Sequence, residues 1–165
     1  MQKTYFSISK NVFFACLLLL ACCGKKEAPL QDQLYCEIDG VAWQSTRMQV
    51  TYSALGSITT LDIYAYNSEN ELLYLKIYAI GNALTTHYIN AQNQHNLAYA
   101  LAGNLNTPSA TYQTKGNCIG DTGSFIQLNA IESFFANGSF QGKICLPNGQ
   151  FKTIRNGAFN QVRLP

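Results

Sequence analysis

Two adjacent thiols, Cys22 and Cys23, stand where the apolar run 12–21 gives way to Gly24-Lys25-Lys26. Deprotonated, a thiol is a strong nucleophile, and at the end of a greasy leader it can accept a glyceryl lipid as a thioether. Four other cysteines lie at Cys16, Cys36, Cys118 and Cys145. Outside the cytoplasm a disulfide is reasonable, and Cys118 with Cys145 is the preferred pair, closing a loop worth about 3.5 kcal/mol in the chain-entropy estimate. Cys36 could replace either partner, and reduced, buried thiols remain the competing reading. The two histidines, His87 and His95, would lie about 26 Å apart along one strand unless a hairpin joins them. Neither has Cys or an acid at ligand spacing, so no metal site is expected. Asp121, in the Gly-rich stretch "GNCIGDTGS", is the one carboxylate there, whereas a calcium ion takes six to eight oxygens; turn chemistry explains it better. Neither a P-loop nor G-x-S-x-G occurs, so phosphate and acyl-transfer chemistry lack their usual local signals.

Lys3 and Lys10, with no acid near them, precede the apolar run. This is a positive n-region and a short h-region. Crossing a bilayer takes about 20 apolar residues, so the run can engage a translocon without remaining as a span. Leu19-Leu20-Ala21-Cys22 resembles the bacterial lipobox, with small Ala21 just before the modified thiol; Cys23 is the alternative site, with Cys22 before it. The expected product carries diacylglycerol and an N-acyl chain on Cys22 and requires no other cofactor. Two or three acyl chains hold a protein firmly on a membrane where one does not.

The expected organisation is a lipoprotein signal peptide over 1–21, the lipidated cysteine and a flexible tether over 22–33, and one β-domain over 34–165. Loss of 1–21 removes Lys3 and Lys10, leaving nine basic residues against nine acidic. A neutral body without a basic patch argues against nucleic acid as a partner. Charged residues are 12% of the chain, about half the usual share; tyrosine and uncharged polar residues form the surface instead.

The elements that position these groups read as strands, because the apolar period is two. "TTLDIYAYN" and "LLYLKIYAI" both alternate, and Ser68-Glu69-Asn70 between them suits a three-residue hairpin loop with Asn70 left-handed. That loop sets Asp62 opposite Lys76, Tyr64 opposite Tyr74, Ile63 opposite Leu75 and Leu61 opposite Ile77, four favourable cross-strand pairs. Tyr64, Tyr66, Tyr74 and Tyr78 then share one face, a candidate binding surface for sugar rings or a protein; the competing reading has them covering the second sheet of a sandwich or a barrel wall. Gly-x-Phe recurs at Gly123-Ser124-Phe125, Gly138-Ser139-Phe140 and Gly157-Ala158-Phe159, each predicting a glycine that lets a Phe turn into the core. Asn137-Gly138 could form a turn, but a reversal at Glu132-Ser133 is preferred. Residues 83–104 read as two strands around a polar loop. The expectation is an all-β fold: one antiparallel sandwich or partly closed barrel of about nine or ten strands.

Ile38-Asp39-Gly40 with Trp43, Gly138-Ser139-Phe140 and Gly157-Ala158-Phe159, following a lipobox, resemble a family of small Bacteroidetes-type lipoproteins with a domain of unknown function. The resemblance covers most of 34–165 and implies a β-rich envelope lipoprotein without supplying a reaction. Asp39-Gly40 reads as a turn and Trp43 as a core anchor. With Lys25 and Lys26 after the lipid cysteine in place of an acidic cluster, the expected address is the outer membrane facing the periplasm, surface exposure remaining open. The expected role is non-enzymatic: a lipid-anchored binding or structural β-domain whose partners are the membrane and an envelope protein or glycan. A small apolar-ligand carrier with a barrel cavity and a hydrolase with a dispersed site are the alternatives.

Overall fold

A computed structural model describes residues 33–55, 58–78, 86–89, 94–101, 103–107, 110–114, 118, 122–132 and 134–165. Cys16, Cys22, Cys23 and Asp121 lie outside them. Among the described residues eleven strands follow one another: β1 (Gln33–Ile38), β2 (Val41–Gln44), β3 (Arg47–Leu55), β4 (Ile58–Tyr66), β5 (Leu72–Tyr78), β6 (Thr86–Tyr88), β7 (Asn96–Ala100), β8 (Thr111–Gln113), β9 (Phe125–Glu132), β10 (Phe135–Cys145) and β11 (Phe151–Arg163). No α-helix occurs among the described residues. The two strands read in 83–104 are β6 and β7, and a further three-residue strand, β8, follows them.

The strands form a curled antiparallel sheet, a half-barrel. Nine of them run in the order β2-β1-β11-β10-β8-β7-β5-β4-β3, while β9 pairs with β10 and β6 with β9. The ends of this path are successive in the chain, joined by Ser45 and Thr46 alone. Ser45 N–H donates to Leu34 O of β1 at 2.8 Å, and Thr46 N–H donates to Tyr66 O of β4 at 2.7 Å. Ser45 is buried, and its Oγ accepts from Leu34 N–H at 3.0 Å. That bond satisfies the hydroxyl where the chain turns the corner.

Curling originates in β11. Its pairing with β1 slips between Arg155 and Ala158, and its pairing with β10 slips between Ile154 and Gly157 and again between Phe159 and Val162. Asn156 and Gln161 there have φ of 53° and 47°. Extra residues on one strand of a pair bend it and raise its twist.

Gly-x-Phe gains its meaning at the β10–β11 ladder. In the antiparallel register Gly138 faces Phe159 and Phe140 faces Gly157. A Cβ on Gly138 would sit 2.2 Å from the Phe159 ring, and one on Gly157 would sit 2.6 Å from the Phe140 ring. Each glycine makes room for the other strand's aromatic ring. The two rings, both essentially buried, stack with centroids 6.5 Å apart. The third copy departs from the expectation: Phe125 is half-buried and meets Tyr88 edge-on, while its neighbour Ser124 is the buried residue. Ser124 Oγ accepts from Lys143 N–H at 2.9 Å, close against Gly142, so the serine takes the inward position and the Phe turns out.

The β9–β10 reversal lies between Glu132 and Phe135, and Asn137-Gly138 is strand interior. At the β1–β2 hairpin Asp39 and Gly40 both have positive φ, 53° and 82°, the geometry of a type I′ turn. Asp39 ties this turn to β11: Oδ1 accepts from Thr153 N–H at 2.8 Å and Oδ2 pairs with Lys152 Nζ at 3.1 Å.

Residues from both limbs of the half-barrel fill its interior. Leu34, Ile126, Phe140 and Phe159 on one limb pack in one cluster with Ile63, Leu73, Leu75 and Leu97 on the other. A carrier needs that space empty.

Candidate binding face

The β4–β5 hairpin sets the candidate face. Asn67 Oδ1 accepts from the N–H groups of Glu69 and Glu71 at 3.0 and 2.8 Å, and Asn70 takes φ of 62°. This closes the three-residue loop and sets the register that the alternation predicts: Asp62 opposite Lys76, Tyr64 opposite Tyr74, Ile63 opposite Leu75, Leu61 opposite Ile77. Continued across the sheet, the outward side chains fall into rows. One is Gln49, Tyr64, Tyr74 and Ala98; another is Arg47, Tyr66, Leu72 and Ala100; a third is Thr51, Asp62, Lys76 and Asn96.

The four tyrosines occupy one face at different depths. Tyr74 is buried at 8% exposure, while Tyr64, Tyr66 and Tyr78 are half-buried. Leu72, Tyr74, Ala98 and Ala100 form a small apolar cluster of their own, with Tyr64, Tyr66 and Leu105 against it. Tyr74 is thus the floor, and Tyr64 lies against it with ring centroids 4.7 Å apart. The Arg47 guanidinium lies 4.1 Å over the Tyr66 ring, an attraction between cation and π-face. Although Asp62 stands opposite Lys76, its Oδ1 accepts from the Tyr74 hydroxyl at 2.5 Å. Burial, then that bond, raises the Tyr74 hydroxyl far above its usual range; burial, then the charge of Asp62, raises Tyr64 as well. Both tyrosines stay neutral donors, which suits binding and gives no nucleophile.

The remaining residues singled out in the sequence have separate places. Cys118 and Cys145 form a disulfide, Cα atoms 5.2 Å apart, tying the segment after β8 to the end of β10. Cys36 is a free thiol on the inner face of β1, and burial, then the charge of Glu37, pushes it up to about 12, so it remains protonated and inert. His87 and His95 come together with ring centroids 4.8 Å apart. Tyr78 N–H donates to His95 Nδ1 at 3.1 Å. Burial, then His87, lowers His95 to about 4, and burial lowers His87. Among the described residues no three His, Cys, Asp or Glu gather closely enough to hold a metal ion.

Trp43 is buried, with its Nε1 donating to Glu71 Oε2 at 3.1 Å. Asn67 Nδ2 donates to that oxygen at 2.6 Å, and Tyr99 Oη donates to Oε1 at 2.6 Å. Glu71 therefore locks the hairpin to the indole with both oxygens engaged. The sequence reading missed Glu71 and Arg47. Arg47 had a signal, as the lone cation in β3 on the parity that faces the tyrosines; Glu71 had none, because its three donors come from separate elements.

Comparison with protein-family models, with curated proteins and with solved structures returned no match.

Proposed function

We propose that this chain is a lipid-anchored protein of the bacterial cell envelope, not an enzyme, whose β-domain binds an envelope glycan through the outer face of β3, β4 and β5. The observation that carries the binding role is the row structure of that face: Tyr64 and Tyr66 half-open on a rigid floor, with Asp62, Lys76, Gln49 and Arg47 around them. Aromatic faces stack on the C–H faces of sugar rings, and flanking amide and charged groups can bond their hydroxyls. The packed interior favours a surface site over a carrier's cavity. The leader that stops at Cys22 supports the anchor, and Lys25 and Lys26, in place of an acidic cluster after it, favour the outer membrane facing the periplasm.

Two measurements test this reading. Metabolic palmitate labelling is expected to mark wild type and Cys23→Ala and to miss Cys22→Ala; equal labelling of all three, or loss in both variants, overturns the assignment to Cys22. In affinity gels containing envelope polysaccharide, wild type is expected to be retarded and Tyr64→Ala and Tyr66→Ala to run free. Equal mobility of all three in every glycan overturns the glycan face.

A further inference from the structure

A second surface, bordering the tyrosine face and resting neither on the glycan reading nor on the lipid anchor, lies along the free edge of β3. This strand ends the hydrogen-bonded path, and among the described residues it pairs with β4 alone. An edge strand offers a row of unpaired N–H and C=O groups, and chains usually shield it with proline, a bulge, short length or repeated charge. β3 has none of these. It runs nine residues, RMQVTYSAL, without proline; its register with β4 is unbroken from Arg47 to Leu55; and its one charge is its first residue. By contrast, β1, β9, β10 and β11 all take part in shifted registers.

The flanks of the edge are also unfinished. Gln49, Thr51 and Ser53 on the outward side are exposed, and Tyr52, on the inward side, is 37% exposed. Met48 and Val50 are only half-buried, and with Arg163 and Leu164 they line an open groove of about 620 Å³.

The geometry points to an antiparallel pairing of β3 with β3 of a second copy of this chain, about a twofold axis at Thr51. Thr51 is the midpoint of the strand, so this register uses its full length. Thr51 then faces Thr51 of the second copy, Val50 faces Tyr52, Gln49 faces Ser53 and Met48 faces Ala54. Every facing pair shares parity, so the inward sides of both strands lie on one side of the joined sheet and the polar rows on the other. Thr against Thr, and an aromatic ring against a β-branched residue, are favoured cross-strand pairs. The two Arg47 side chains stand at opposite ends of the ladder, so no like charges meet. Tyr52 of the second copy lies beside Val50 at the groove, where its ring covers apolar surface that one chain leaves open. The interface is isologous and closes at two copies.

Cysteine scanning of the full-length chain tests the register. Facing Cα atoms in an antiparallel pair are about 4.5 to 5.5 Å apart, within the span a disulfide bridges. Thr51→Cys is therefore expected to give a covalent dimer on mild oxidation, beyond the level of wild type, which carries every other cysteine. Ser53→Cys places its two thiols about 14 Å apart along the ladder and is expected to stay at the wild-type level. In sedimentation velocity, wild type in detergent is expected to show a concentration-dependent monomer–dimer equilibrium. Thr51→Lys, which sets two charges face to face at an exposed position, is expected to weaken it by roughly tenfold or more. Cross-linking no stronger at position 51 than at 53, or a wild-type chain monomeric throughout the concentration range, overturns the pairing.

Discussion

The β10–β11 ladder and the β4–β5 ladder solve one problem, where to put aromatic rings on an antiparallel pair, in opposite ways. On β10–β11 each ring lies over a glycine of the other strand, the rings face inward, and water is excluded: Phe140 and Phe159 are 1% and 0% exposed. On β4–β5 ring faces ring, Tyr64 against Tyr74, on the outward side, and each carries a hydroxyl that reaches polar neighbours or water. A Phe over a glycine leaves no room for change. A Tyr against a Tyr leaves one ring open for something else. The first ladder shuts its rings away from water and the second leaves one ring partly open.

Truncation distinguishes the two most sharply. Phe159→Ala empties a fully buried site and is expected to cost about 3 to 5 kcal/mol, read as a lowered urea midpoint. Gly138→Ala is expected to cost about 1 to 3 kcal/mol by overpacking, since its methyl would overlap both the Phe159 ring and the Gln127 carbonyl. Tyr64→Ala, at a half-open site, is expected to cost no more than about 1.5 kcal/mol. Equal losses at Phe159 and Tyr64 would abolish the distinction.

The disulfide belongs to the first region, since it fastens the far end of β10. Replacing both Cys118 and Cys145 by alanine is expected to lower stability by about 3.5 kcal/mol, with the same loss in wild type under strong reductant. A reductant effect that persists in the double variant would assign it to other thiols.

The extent to which sequence revealed these regions follows from how local each determinant is. The β4–β5 hairpin was legible because its register is set by three loop residues and tested by four adjacent pairs, all within twenty residues. The Gly-x-Phe repeats were legible as a signature but not as a mechanism. Their meaning lies in Gly138 meeting Phe159 and Phe140 meeting Gly157 across two strands, and Phe125 shows that the same tripeptide can face outward when Ser124 takes the buried place. The corner at Ser45-Thr46, which brings the path's two ends together, depends on acceptors in β1 and β4 that no local pattern announces. Glu71 was invisible for the same reason, its donors coming from β2, β7 and the hairpin loop.

A smaller effect checks how firmly the floor of the tyrosine face is held. Tyr74→Phe removes the hydroxyl donated to Asp62 while keeping the ring, and a hydrogen bond to a charged partner contributes about 1.5 to 3 kcal/mol. Asp62 in the variant regains water, so the low end, about 1.5 kcal/mol, is expected in urea unfolding. A loss near zero would mean that packing alone holds Tyr74 down.

The least effect is a pH dependence between pH 7 and pH 5 that belongs to the β4–β5 region. The Phe–Gly ladder presents no titrating side chain to its own core, whereas His95 accepts the Tyr78 N–H at the end of β5 and lies against His87. In the unfolded chain an imidazole takes its proton near pH 6.5, but in the folded protein burial, then His87, holds His95 down to about 4. Between those values the unfolded chain binds more protons, so stability rises with pH. The contribution is complete above about pH 7 and declines as pH falls from 6.5 toward 4. Both rings are partly open to solvent, which keeps the effect small. The urea midpoint of wild type is expected to fall between pH 7 and pH 5, and His95→Gln is expected to reduce that fall. Phe159→Ala should instead lower the midpoint equally at both pH values. A slope unchanged in His95→Gln would assign the pH dependence to other groups.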